Sequence, residues 1–380
     1  MASFAARPRL DAVTSLRFFA AMHVLLFHLQ TLGLVSGGPA WLQEIRSVGY
    51  LGVSFFFVLS GFILVYTYVD RPFRAREFWQ ARFARIYPAY AASLVIALPM
   101  FLWFLIHLNF PFLAWTKDHL SLACLMVATL TQSWVPQIAS AWNPVAWSLG
   151  VEAFFYACFP LLFPRIARAS HRGLLVWIAA AWTITLLLTG GYAVFSPDGV
   201  AHTNSTYENL FWLNVVRFNP LVSLPEFVVG MAAGFACVRS KLAAGSGIWF
   251  TVGGIAAFAL AVGFSQQIPY PMLHSGLLAP VFASIIFGVA LRPRWTRVLE
   301  WRWLVLFGEV SYSFYLIHFV VIWAAIVRFG RAAASPIGIL AVLVVAFAIS
   351  VASYKLIEQP ARRKLRAMNL RQLSTAAANA

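Results

Sequence analysis

The chain has 380 residues, of which 61% are hydrophobic, 16% aromatic and 11% charged, and its formal net charge is +16. Soluble domains carry about 25% charged residues, so a water-soluble fold is excluded. The basic excess sits in short clusters between apolar stretches, where positive-inside sorting and anionic headgroups account for it; a lipid bilayer is the expected partner and nucleic acid is not.

Arg7 and Arg9 precede an apolar run as they would in a signal peptide. That run holds Asp11, Arg17, His23 and His28, however, and reads as a retained first span. Eleven apolar segments follow one another near residues 13–35, 49–69, 87–108, 119–135, 146–164, 173–195, 222–238, 248–265, 272–291, 304–327 and 336–357. Most are long enough to cross a hydrocarbon core about 30 Å thick. The arginine-rich linkers Arg71–Arg85, Arg165–Arg172, Arg239–Lys241, Arg292–Arg302 and Arg362–Arg371 belong on the cytoplasmic side. Three apolar segments separate the first two linkers, and a chain returning to one side crosses an even number of times, so one of the three does not span. His119–Val135 is the shortest and runs on to Pro136, Asn143 and Pro144; it reads as re-entrant or interfacial on the outer side, covered by protein beside a site.

The fold class expected is therefore all-α, a polytopic integral membrane helical bundle of about ten transmembrane helices plus one re-entrant or interfacial segment. Residues 1–365 form a single domain, residues 366–380 a short cytoplasmic tail, and both termini lie inside. The longest outward loop, Ser196–Leu221, holds Asp198, His202, Asn204 and Glu208 and is expected to be functional or mobile. Cys124, Cys158 and Cys237 each stand alone, without a CxxC pair, and read as packing residues rather than metal ligands or disulfides; no metal is expected. No internal repeat is visible, which counts against an inverted-repeat transporter.

Titratable groups inside a span cost about 3 kcal/mol each on insertion scales, so each needs a partner or a function. Arg17 and His28 are eleven residues apart, about 20° beyond three full turns, which points both the same way about 16 Å apart along the axis. A cation at the mouth can hold phosphate or pantetheine groups while a neutral imidazole deeper in takes a proton from a hydroxyl. The bland alternative is an arginine that snorkels and a histidine bonded to a neighbouring helix. His23, about 140° round the helix from His28, reads as packing. In FWQARFARIYPAY, Arg82 and Arg85 are i, i+3 neighbours that suit a phosphate clamp, or simply an interfacial anchor. In NPVAWSLGVEAFFY, Ser148, Glu152 and Tyr156 share one face, and Glu152 can orient a histidine, pair with arginine or serve a proton path. In GEVSYSFYLIHF, Ser311, Tyr315 and His318 share a face, with His318 more readily structural than catalytic. No GxSxG elbow occurs, and Ser60 and Gly61 in LSGF read as small residues for close helix approach.

Together these stretches resemble the bacterial membrane-bound acyltransferase-3 family. The shared motifs run in order: LDAVTSLRFFAAMHVLLFHL, FFFVLSGFIL, RFAR, WSLGVEAFFY, FNPLVSLPEFVVGM, SYSFYLIH and IEQPARR, from Leu10 to about Arg363. The resemblance implies a cytoplasmic (inner) membrane O-acyltransferase. It would move an acyl group, usually acetyl, from acyl-CoA as co-substrate to a hydroxyl of a carbohydrate acceptor, with no permanently bound cofactor. By the same resemblance His28 and Arg17 are the essential first-helix residues, Arg82 and Arg85 serve the donor, and Glu152 supports the centre; Ser148, Tyr156, Tyr315 and His318 are the supporting candidates. A fused esterase-like domain carried by some relatives is absent from this sequence, which leaves open whether a separate extracytoplasmic partner completes the modification. Three rivals stand beside this reading: acylation of a small glycoside such as a macrolide sugar, a transporter with Arg17, His28, Glu152 and Glu226 on its path, and a membrane scaffold without chemistry.

Overall fold

The computed structural model describes residues 7–109, 111–199 and 210–364. His202, Asn204, Glu208 and the tail at 366–380 lie outside the described residues. Among the described residues, ten helices are long and apolar enough to cross a bilayer: spans 1 to 10 are Asp11–Thr31, Leu51–Tyr68, Ala75–His107, Trp147–Ala167, His171–Phe195, Phe211–Arg239, Ala244–Gly263, Tyr270–Ala290, Arg302–Ala334 and Pro336–Lys364. The protein is a polytopic helical membrane protein, and no strand occurs among the described residues.

The segment set aside by parity does not span. It forms a nine-residue helix, Leu120–Ala128, and a single 3-10 turn, Gln132–Trp134. Its irregular backbone is covered by protein, as a segment without water to satisfy its polar groups requires. Tyr90 donates to the carbonyl of Val127 at 2.6 Å, Gln132 donates to Ala146 at 3.1 Å and Ser133 to Trp147 at 2.5 Å. Asn143, fully buried, donates to Leu316 of span 9 at 2.9 Å. These bonds brace the first turn of span 4, the helix that carries Ser148, Glu152 and Tyr156.

Span 3 begins a dozen residues earlier than the apolar pattern suggests, so Arg82 and Arg85 sit within the helix rather than ahead of it. An Arg74–Glu77 ion pair of 3.1 Å supports its first turn, and the helix runs through Pro88 and Pro99. Asp198 anchors another helix start. It accepts from the backbone N–H groups of Trp212 at 3.1 Å and Leu213 at 2.8 Å, placing a carboxylate at the start of span 6 where the helix dipole favours it.

Glycines set the helix spacing at the centre of the bundle. Span 2 packs along span 6 and span 1 along span 9. A Cβ on Gly230 would stand 1.9 Å from the carbonyl oxygen of Val58, and one on Gly61 would stand 2.1 Å from that of Phe227. Only hydrogen fits there, which is how small residues drive association when the surrounding lipid is as apolar as the helix. Gly308 does the same for spans 1 and 9, with Thr14 O 2.0 Å from the position of its missing Cβ. That contact holds the Arg17 face of span 1 against the Ser311 face of span 9.

Arg239, at the end of span 6, donates to the carbonyls of Ala169, just beyond span 4, and Ala167, its last residue, at 2.6 and 2.5 Å. Two arginine-rich linkers therefore meet at one end of the bundle, as alternating crossings require.

Candidate active site

A cavity of about 550 Å³ opens among spans 1, 2, 3, 4, 9 and 10, within the range typical of small-molecule sites. Its wall gathers Arg17, Arg82, Arg85, Ser148, Glu152, Tyr156 and Tyr315, together with Ser60, Tyr312 and Arg362. Seven of the nine residues singled out from the sequence thus meet in one place. His28 and His318 are not part of its lining.

The arginines are short of partners. Arg17 lies in the apolar first span, and its Nε donates to Ser311 Oγ at 3.2 Å. Its guanidinium also stands over the ring of Phe56, 5.9 Å from the centroid. Arg82 is framed by the rings of Tyr156, Phe78 and Tyr68 at 5.8, 5.9 and 6.0 Å, and its buried Nε has no hydrogen-bond partner among the described residues. Among the same residues neither Arg17, Arg82 nor Arg85 forms an ion pair with a carboxylate. Three guanidiniums inside a protein without a direct ion pair are costly unless an anion joins them, and planar donor forks match phosphate oxygens. The mouth is different: there Arg9 donates to Glu309 at 2.5 Å, and the other oxygen of Glu309 accepts from Tyr354 at 2.8 Å.

Glu152 neither orients a histidine nor pairs with an arginine. Its Oε1 accepts from Tyr156 at 2.5 Å, one turn along span 4, and from Ser60 at 3.2 Å. The LSGF reading is therefore half right: Gly61 serves helix approach, while Ser60 turns its hydroxyl into the cavity. Tyr315 and Ser148 hydrogen-bond to each other at 2.9 Å, and both hydroxyls reach the carbonyl of Val145, at 3.0 and 3.1 Å.

The equal facing of Arg17 and His28 holds, since both look toward span 9: Arg17 meets Ser311 and His28 meets His318. The two imidazole centroids are 5.2 Å apart at 36°, and Phe319 stands edge-on to His28 at 5.1 Å. His318 is fully buried; its Nδ1 faces the carbonyl of Phe314 at 3.2 Å and so carries the proton, while its Nε2 has no partner among the described residues. Ser311 and Tyr315 reach the cavity, whereas His318 lies one turn further along span 9, its ring 5.8 Å from that of Tyr315. Phe56 and Tyr315, whose rings face each other at 6.2 Å, both line the cavity, and Tyr315 also meets the ring of His318, while the two imidazoles fall outside the lining. Nothing in the residue pattern signals that partition. His23 is packing, as read: its Nε2 donates to the carbonyl of Ile45 at 2.7 Å.

Glu226, placed on the transporter path, lies apart from the cavity. It is 1% exposed and accepts a hydrogen bond from Ser54. Missed in the sequence were Ser60, Glu309, Tyr312, Glu358 and Arg362. Glu309 sits in GEVSYSFYLIHF and Glu358 and Arg362 in IEQPARR, where a charged group beside an apolar run was the available signal. The three cysteines are free, and no group of three His, Cys, Asp or Glu side chains that could hold a metal gathers among the described residues.

Comparison with known proteins decides the lineage, for the profile of an acyltransferase domain matches residues 10–355. The chain belongs to the acyltransferase-3 family. It is 31% identical over 323 residues to acyltransferase MdmB of Streptomyces mycarofaciens, covering 83% of this chain and 79% of that one. With exopolysaccharide production protein ExoZ of Rhizobium meliloti it shares 27% identity over 331 residues, 84% of this chain and 92% of that one. With O-acetyltransferase OatA of Staphylococcus aureus the figure is 24% over 383 residues, 93% of this chain but 57% of the longer relative. No solved structure matches. This membrane protein is accordingly an acyltransferase.

Proposed function

We propose that the chain is an acyl-CoA-dependent O-acyltransferase of the cytoplasmic membrane that moves an acyl group, in the first instance acetyl, to a carbohydrate hydroxyl. The observation that carries the reading is the cavity in which three guanidiniums form no direct ion pair among the described residues and whose wall residue Tyr315 meets the ring of His318, the neighbour of His28. Coenzyme A is polyanionic at one end and carries its thioester at the other, and the site is polarised the same way. The arginine-rich end is cytoplasmic, with both termini there. The donor enters from that side, its phosphates held by Arg17, Arg82 and Arg85.

The thioester lies toward Tyr315 and Ser148. Once the rings of Phe56 and Tyr315 turn aside, His28 takes the proton of the acceptor hydroxyl as its oxygen adds to the thioester carbonyl. The hydroxyls of Tyr315 and Ser148 donate to the developing oxyanion by turning away from the carbonyl of Val145. Collapse breaks the C–S bond, the thiolate leaves, and the imidazolium returns the proton to sulfur; an ester and a free thiol are the products. His318, its protonated Nδ1 tied to Phe314, holds His28 in place through ring contact.

ExoZ is named for exopolysaccharide production, OatA for O-acetyl transfer and MdmB for acyl transfer; the carbohydrate acceptor proposed here is in keeping with the first name and transfer of acetyl to oxygen with the second. The test is thiol release from acetyl-CoA by purified protein with glycan or glycoside acceptors. Release that vanishes in His28→Ala supports the reading. Correctly folded protein that releases no thiol from acetyl, propionyl or succinyl donors across a broad acceptor set overturns it.

A further inference from the structure

The closing motif IEQPARR plays no part in that chemistry, yet it brings a fourth guanidinium to the cavity. Span 10 changes its winding before it ends: Tyr354–Glu358 is a π-turn. Such turns are rare and concentrate at functional sites, because the wider winding re-aims the side chains that follow. Here the turn directs Glu358 fully into protein, 0% exposed, where one oxygen accepts from Ser313 of span 9 at 3.2 Å. Its other oxygen accepts from Nη2 of Arg362, one helical turn on. Arg362 in turn lines the cavity, and its buried Nε has no hydrogen-bond partner among the described residues.

Arg17, Arg85 and Arg362 lie within electrostatic range of one another. Like charges gathered out of water repel strongly, so the grouping needs an anion to be stable. A guanidinium has five N–H donors, and Glu358 engages one of them; the ion pair fixes Arg362 while leaving the rest of its fork for a ligand. Arg82 is set apart, framed by three aromatic rings. Around this end of the cavity four arginines face two carboxylates, Glu152 and Glu358, once Arg9 and Glu309 are paired off at the mouth. Two positive charges remain, and a diphosphate diester carries two negative ones.

We propose that Arg362 is a donor-binding residue which, with Arg17 and Arg85, holds the diphosphate of a coenzyme A thioester, and that Glu358 on the π-turn is its positioning residue. The proposal rests on the acyl-CoA reading of the cavity. Calorimetric affinities of the detergent-purified full chain separate the two. Coenzyme A and dephospho-coenzyme A share the diphosphate, whereas pantetheine has no phosphate. Arg362→Gln should weaken the first two by at least about tenfold, the worth of a charge-assisted hydrogen bond, and change the third by less than about twofold. Arg362→Lys, which keeps a cation beside Glu358, should fall between. Since Arg362→Gln strands a buried carboxylate, the double variant Glu358→Gln with Arg362→Gln removes both charges and decides the matter if the single variant does not fold. Glu358→Gln alone should raise the donor KM and leave the acceptor KM unchanged, a split that general loosening of the helix would not produce. Native affinity for coenzyme A in Arg362→Gln or the folded double variant overturns the proposal, as does equal weakening toward all three ligands. If the unaltered protein binds neither coenzyme A nor dephospho-coenzyme A, the acyl-CoA reading has itself failed and the role of Arg362 falls with it.

Discussion

Two layers of the same bundle answer the problem of polar groups in lipid in opposite ways. In the cavity, the guanidiniums of Arg17, Arg82 and Arg85 form no direct ion pair among the described residues and line open space. One turn further along span 9, His28 and His318 are packed ring to ring among Phe319, Phe314 and Phe27, outside the cavity lining, with Tyr315 touching both the cavity and the ring of His318. A charged group that keeps its charge needs an anion, so its layer must stay open to one. An imidazole that is to act as base must stay neutral and away from bulk water, so its layer is closed. The contrast separates binding from chemistry, and it can be broken from either side.

The largest effect should come from the closed layer. His28→Ala removes the proposed base and should lower acceptor-dependent thiol release by about a thousandfold, within the span general-base removal produces, while coenzyme A affinity stays near native. A comparable fall in affinity would merge the two layers into one. Next comes the open layer. Arg85→Ala should weaken coenzyme A binding by about tenfold or more and flatten the response to added salt, because one screened charge–charge contact is lost. Native affinity in that variant would remove the cavity from donor binding.

The partition itself gives a smaller effect of opposite sign. Phe56 is held by ring contacts to Tyr315, Phe55 and the Arg17 guanidinium. Phe56→Ala should therefore admit water to the thioester and raise acceptor-independent hydrolysis of acetyl-CoA by about threefold to tenfold, since exclusion of water suppresses that side reaction. Unchanged hydrolysis would mean that the ring does not separate the layers.

The open layer is legible in the sequence, and the closed one only in part. Arg17, Arg82, Arg85 and Glu152 stand out because a charge in or beside an apolar run calls for a partner or a function, and helical spacing gives their faces directly. The ten crossings follow equally from apolar length and from the parity of arginine-rich linkers, with Leu120–Ala128 the odd segment out. Spacing along one helix does not reveal what stands opposite, however. That His28 meets His318, that Glu152 meets Ser60 rather than an arginine, and that Gly308 brings span 9 onto Thr14 are facts of tertiary contact between segments far apart in sequence. Arg362 was hidden for another reason: it lies in what reads as a basic tail, and only the π-turn at Tyr354–Glu358 aims it inward.

The smallest expected effect carries the sharpest test against transport. Glu152 and Glu226 look alike in sequence, each a lone carboxylate in an apolar helix, and a proton path through the bundle would use both. They differ in the fold: Glu152 lines the cavity, whereas Glu226 is sealed between spans 2 and 6 with Ser54 as its hydrogen-bond donor. Glu226→Gln keeps the volume and the acceptor oxygen that Ser54 needs. In an acyltransferase whose chemistry lies between the cavity and His28, the variant should change thiol release by less than about twofold. In a proton-coupled transporter, replacing a buried titratable group on the path abolishes coupling, because the proton has nowhere to sit. Substrate accumulation in vesicles that disappears in Glu226→Gln, with no thiol released by either protein, would replace the two-layer account with a path running through both carboxylates.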